Sequence, residues 1–198
     1  MPALSIRLDD VVLATVSCAG LDVLTASVSG TRIDDDFANI GVSGGSYPKE
    51  GESTHLIWVN EVVLRPGQCV EISFLEEAST SHRGLTIDEL FPDEVSTEGS
   101  DYFAPTPEAF DELRRRVKVR ESYLLQYAST PGTSYAGRTS EDKHGFFLTV
   151  LWNSHRPERA RVSLHSFTLD GVEQRSRGQY HVEEHLHVGQ SVSFEINA

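Results

Sequence analysis

Two cysteines, one methionine, two tryptophans and only 17 basic side chains against 30 acidic ones are spread over 198 residues. Each shortage excludes something. Cys18 and Cys69 fall outside any CxxC or CxxH spacing, so neither a zinc finger nor a disulfide framework is encoded, and both are expected as free thiols. No apolar run approaches the roughly 20 residues of a membrane helix. Met1 to Arg7 lack the basic and then apolar blocks of a secretory signal, so the chain is expected in the cytoplasm without membrane contact. The shortage of base leaves a formal net charge of −13, which repels phosphate backbones. Nucleic acid is therefore not an expected partner, whereas a basic protein or a cation is. With 38% hydrophobic residues, a chain of this length can bury a core without metal or disulfide support.

The acid is unevenly placed: residues 1–75 carry −6, residues 76–101 carry −7 and residues 102–198 sum to zero. The clusters Asp34, Asp35, Asp36 and Asp88, Glu89, Asp93, Glu94 are thus the candidate contacts for a basic protein partner. The first cluster lacks the alternating ligands and distal Glu of an EF-hand loop, so a solvated loop is the plainer reading there.

What is present is alternation. Leu4, Ile6 and Leu8, then Val12, Ala14 and Val16, flank Asp9-Asp10 as a hairpin; Leu24, Ala26 and Val28, then Ile40 and Val42, His55 to Trp58, and Val70, Ile72 and Phe74 continue the period of two. The spacing predicts a small antiparallel β sandwich or barrel over residues 1–76. The second half repeats it at an offset of 122, residues 24–74 recurring without gaps at 146–196: Leu24, Ala26 and Val28 fall on Phe146, Leu148 and Val150, Trp58 falls on Tyr180, and a Gly-Gln turn precedes the last strand in each copy. This reads as an internal duplication, with a second β unit over 119–198.

Between the units, residues 77–105 read as an acidic linker whose apolar cluster Leu85, Ile87, Leu90 and Phe91 is able to dock. Residues 106–118 read as a helix: Thr106 is the N-cap, Pro107 follows, acids fill the first turns, Arg114 to Arg116 the last, and Phe110, Leu113 and Val117 share a face. The predicted fold is therefore mostly β, two duplicated units joined by an acidic linker and one helix.

Gly44-Gly45, then His55 and Trp58, then Leu64 to Val70 with its Leu-x-x-Gly-x-x-Val turn, form a pattern over about 75 residues. In these features the first half resembles a class of small, uncharacterised bacterial β-domain proteins. The resemblance implies a β fold and carries no activity.

The dense ligand cluster is His181-Val182-Glu183-Glu184-His185-Leu186-His187. On a strand, His181, Glu183, His185 and His187 point to one face, a donor set that a divalent metal such as Zn²⁺ accepts; no other cofactor is expected. The same string satisfies the H-x-x-E-H protease pattern, but that chemistry needs a helix. The plain alternative is a solvated polar strand face. Gly41-Val42-Ser43-Gly44-Gly45 matches a nucleophile elbow, yet Pro48 and Gly51 follow where the elbow's helix should start. Trp58 and Tyr180 suit either ligand stacking, as in glycan-binding β modules, or burial against the core. With no catalytic set convergent in the sequence, the expected function is non-enzymatic binding through protein contacts, in its most concrete form an immunity-type or inhibitor protein covering a basic effector. A metal enzyme or a metal or pH sensor at His181–His187, and a glycan-binding module, are the alternatives.

Overall fold

The computed structural model describes residues 1–92 and 106–198. Its first half forms β1 (Ala3–Leu8), β2 (Val11–Ser17), β3 (Val23–Thr31), β4 (Ala38–Ser46), β5 (Thr54–Leu64) and β6 (Cys69–Leu75). Its second half forms β7 (Leu124–Ser129), β8 (Ser134–Arg138), β9 (Gly145–Asn153), β10 (Arg159–Phe167), β11 (Gln179–His187) and β12 (Gln190–Asn197). Three helices lie between strands: α1 (Ile87–Leu90), α2 (Pro107–Arg115) and α3 (Leu169–Glu173). The strands make two six-stranded antiparallel sheets, β2-β1-β6-β12-β7-β8 and β11-β10-β9-β3-β4-β5. The fold is mostly β and sandwich-like, as the alternation predicts.

Each half places three strands in each sheet, and the halves meet at two seams. β6 pairs with β12 and β3 with β9. Ser27 lies opposite Thr149 in one seam and Glu71 opposite Ser193 in the other, and each pair is separated by the 122-residue offset. A pseudo-twofold axis therefore passes through both seams. The inward residues are those of the period-two pattern: Leu24, Ala26, Val28, Val70, Ile72 and Phe74 are buried, as are Phe146, Leu148, Val150, Val192, Phe194 and Ile196. Because strands of both halves contribute to one continuous core, burial at about 25 cal/mol per Å² stabilises the halves jointly.

The repeat is not gapless throughout. Ile40 pairs with Val62 but Val42 pairs with Val59, so Asn60 and Glu61 hold one residue more than the other copy, and Glu61 adopts a positive φ of 49°. The structural counterpart of Trp58 is consequently His181, not Tyr180. Both are the unpaired residue of a bulge, opposite Val42–Ser43 in one copy and Leu164–His165 in the other.

Residues 80–91, expected within the linker, are bonded to the sandwich. Ser81 N–H donates to the Thr15 carbonyl (2.8 Å), Ser17 N–H to Thr80 Oγ1 (3.0 Å), and Leu85 exchanges backbone bonds with Ile57 (2.8 and 2.9 Å). The segment thus covers the outer edges of β2 and β5, edges that otherwise present unpaired donors and acceptors. It then turns into α1 through a capping box of Thr86 and Glu89. Helix α2 starts as predicted, with Thr106 Oγ1 accepting from Ala109 N–H, but ends earlier: Arg116 is extended, which leaves Val117 81% exposed and off the packed face.

Candidate functional site

A partly enclosed apolar site lies on the outer face of the second sheet, beneath α2 and α3. It is a cavity of about 460 Å³. Its floor comes from β9 and β10, where Phe147 and His165 are cross-strand partners and so share a face, with Phe167 two residues on. Helix α2 contributes Phe110 and Leu113 as one wall, and α3 contributes Leu169 and Val172 as the other. Thr31 and Asp34 close the end nearest the β3–β4 loop.

The walls are held by local chemistry. Thr168 Oγ1 accepts from Gly171 N–H (2.9 Å), starting α3. Arg114 of α2 donates to Asp170 Oδ1 from Nε (3.1 Å) and Nη2 (2.8 Å), and also to Glu173, while its guanidinium stands 6.0 Å from the Phe110 ring. One arginine thus ties the two helices together.

Two imidazoles face this apolar space. His144 Nδ1 accepts from Leu169 N–H (3.3 Å), which places the proton of its neutral ring on Nε2. Burial lowers its pKa first, with the Lys118, Arg32 and Arg114 charges acting in the same sense and Asp170 opposing. His165 stacks on Tyr180 with centroids 5.1 Å apart and tilts against Phe147 at 6.0 Å. Its Nδ1 is buried without a hydrogen-bond partner among the described residues, and burial lowers its pKa as well. Burial therefore favours the neutral form of both rings. Ser176 in the wall donates to the Gly171 carbonyl (3.2 Å), not to either imidazole, so no nucleophile–base pair forms there among the described residues.

The duplication supplies an internal comparison. The counterparts of Phe147, His165 and Phe167 in the first copy are Thr25, Ser43 and Gly45, and the β4–β5 connection there carries no helix. Among the described residues, the aromatic groups at these three outward positions and the two helices over them accompany the second copy.

The residues singled out from sequence are dispersed. The bulge turns His181 away from Glu183, His185 and His187: its ring stacks on Tyr135 of the facing sheet (4.6 Å), and its Nε2 lies 2.8 Å from Ser166 Oγ. Glu183 pairs with Arg161 across the strands (2.7 Å), while His185 and His187 are exposed. The expectation of one four-ligand face is thereby corrected, since a bulge shifts which side a residue occupies. Among the described residues no group of three or more His, Cys, Asp or Glu is arranged to hold a metal. Asp34 accepts from Thr31 Oγ1 (2.6 Å) and stands 3.7 Å from Arg116, the Asp35 carbonyl accepts from Arg120 (3.0 Å), and Asp36 is exposed. Asp88 is exposed on α1. Glu89 is used by the capping box and Arg83, and the Thr86 amide and Arg83 hold its carboxyl below the ordinary range. Asp93 and Glu94 lie outside the described residues. Ser43 sits within β4 opposite Thr25, with no helix after it. Trp58 packs against the core and Tyr180 is 36% exposed on His165. Cys18 is buried, which pushes its thiol up to about 12, and Cys69 is also unpaired. No helix among the described residues is long and apolar enough to cross a membrane.

Comparison with known proteins returns no match to a family model, a curated protein or a solved structure.

Proposed function

We propose that this is a non-enzymatic binding protein that takes a small, largely apolar molecule into the cavity beneath α2 and α3. The observation carrying this reading is an aromatic-lined space of about 460 Å³, within the range of small-molecule sites, built on residues that differ from their own duplicated counterparts. Dispersed titratable groups and a Ser176 hydroxyl turned away from the imidazoles favour binding over catalysis. The test is fluorescence titration with the neutral probe N-phenyl-1-naphthylamine. Saturable emission at one probe per chain is expected, abolished by Leu113→Trp, which fills the cavity, and kept by Val63→Trp on β5. Equal binding by both variants would contradict the reading.

A basic protein partner is the second reading, favoured by the net charge of −13. Its attraction is screened over about 8 Å at physiological salt, so capture of a basic partner that is insensitive to salt would refute it.

A further inference from the structure

The first copy closes one edge of the sandwich, and the second copy leaves the equivalent edge open. Residues 80–85 lie as a strap along β2 and β5. Ser81 N–H donates to the Thr15 carbonyl (2.8 Å), the Thr15 amide to Ser81 Oγ (3.1 Å) and the Ser17 amide to Thr80 Oγ1 (3.0 Å). His82 Nε2 donates to the Trp58 carbonyl (3.0 Å), and Leu85 exchanges both backbone bonds with Ile57. Strand register assigns the counterparts in the second copy. Leu4 and Ile6 face Phe74 and Ile72 as Leu125 and Tyr127 face Ile196 and Phe194, so Ala136 stands where Thr15 does and Arg138 where Ser17 does. Tyr180, opposite His165, answers to Ile57, opposite Ser43. Ala136, Arg138 and Tyr180 are all exposed on end strands, and among the described residues nothing bonds the outward side of their backbone.

The ladder fixes which groups are free. Ser129 N–H bonds the Thr133 carbonyl and Thr139 N–H the Tyr123 carbonyl; alternation then turns Tyr135 and Gly137 toward β7 and leaves Ala136 and Arg138 on the open side. Tyr135 stacks on His181 (4.6 Å), which holds the edges of β8 and β11 side by side. We infer that β8 and β11 form a docking edge for an extended segment of another protein, which adds to both strands as the strap does to β2 and β5. The strap also defines the chemistry of that segment. Two adjacent hydroxyl side chains, matching Thr80 and Ser81, accept the Arg138 and Ala136 amides. An apolar residue four positions after the second, matching Leu85, exchanges backbone bonds with Tyr180. Directly opposed side chains share a face, so this apolar residue also covers the exposed Tyr180 ring.

The strap's own sequence is the probe: a synthetic peptide of residues 78–88 is titrated into the ¹⁵N-labelled full chain. Saturable shifts are expected at β8 and at residues 179–182, with Thr15, Ser17 and Ile57 unmoved because the chain's own strap holds them. Ala136→Pro deletes an outward amide at a place where an edge strand tolerates proline, and should weaken binding by about tenfold, the size of one well-made hydrogen bond. Methylating the backbone nitrogen of the peptide's leucine leaves the protein untouched and should weaken binding as much, through the Tyr180 carbonyl. No saturable shift at β8 or β11 overturns the inference, as does a response confined to β2 and β5, where the peptide merely displaces the strap. Affinity that neither change lowers overturns the pairing with β8 and β11. A parent that sediments as a dimer, and as a monomer after Ala136→Pro, assigns the edge to a second copy and overturns the foreign partner.

Discussion

The Gly67 amide donates to the Ile196 carbonyl at 2.8 Å, and at the 122-residue offset the Gly189 amide donates to the Phe74 carbonyl at 2.7 Å. Each Gly-Gln turn thus grips the end of the other copy's last strand. Both glycines need positive φ, 81° and 85°, and in each turn the Gln side chain accepts from a backbone amide, Gln68 from Arg65 and Gln190 from His187. These reciprocal bonds, with the two seams, join the halves in both sheets.

Cooperativity is directly measurable, because each half holds one tryptophan, Trp58 or Trp152. Trp58→Phe and Trp152→Phe variants each report on one copy. Urea titration followed by fluorescence should show the same transition in both as by circular dichroism, the signature of two-state unfolding. Midpoints that differ between fluorescence and circular dichroism within either variant would show that the halves unfold separately.

Tyr123 joins the halves at a second place. Its hydroxyl bridges the Thr31 and Phe37 carbonyls at 2.7 and 2.9 Å and accepts from Arg120 at 3.0 Å, and burial pushes its pKa up to about 12. Removing it takes this donor from the part-buried Phe37 carbonyl while the Thr31 carbonyl keeps Arg120, so Tyr123→Phe should lower stability by about 1–3 kcal/mol in urea titrations. An unchanged midpoint would show that water replaces the hydroxyl.

The Arg114 clamp predicts local loosening. In Arg114→Gln the ties to Asp170 and Glu173 are lost, so hydrogen exchange in α2 should quicken while the β core keeps its protection. Exchange in α2 identical to the parent would exclude Arg114 as the tie between the helices.

Three histidines, His144, His165 and His181, have pKa values lowered chiefly by burial. For a base with a depressed folded pKa, the unfolded chain takes the proton first. Their contribution is therefore fully present above about 6.5, the unfolded value, and is lost as pH falls below it toward the folded values. The melting temperature should drop from pH 7.5 to 5.5, and less steeply in a His165→Gln, His181→Gln double variant. A parent that melts equally at both pH values would contradict this.

Much of the sandwich was legible because inward residues alternate strictly, and the N-terminus of α2 because capping, Pro107 and charge agree. β8 escaped notice: Ser134-Tyr135-Ala136-Gly137-Arg138 is an exposed edge with little apolar signal. So did α3, whose five residues are too few for a helical period. The bulge at His181 is a matter of register between strands, which one strand's composition does not record. The cavity joins α2, β9, β10 and α3 with Thr31 and Asp34, so its lining runs from residue 31 to residue 178. One signal for it was nonetheless available, the replacement of Thr25, Ser43 and Gly45 by Phe147, His165 and Phe167 at outward positions.

The central claim is that the aromatic face of the second copy is a ligand site. The most direct measurement is chemical-shift mapping of the ¹⁵N-labelled chain titrated with N-phenyl-1-naphthylamine. The account predicts that shifts concentrate at Phe110–Leu113, His144–Phe147 and His165–Val172, leaving Thr25, Ser43 and Gly45 unmoved. Shifts spread over both copies alike, or none at saturating probe, would contradict it.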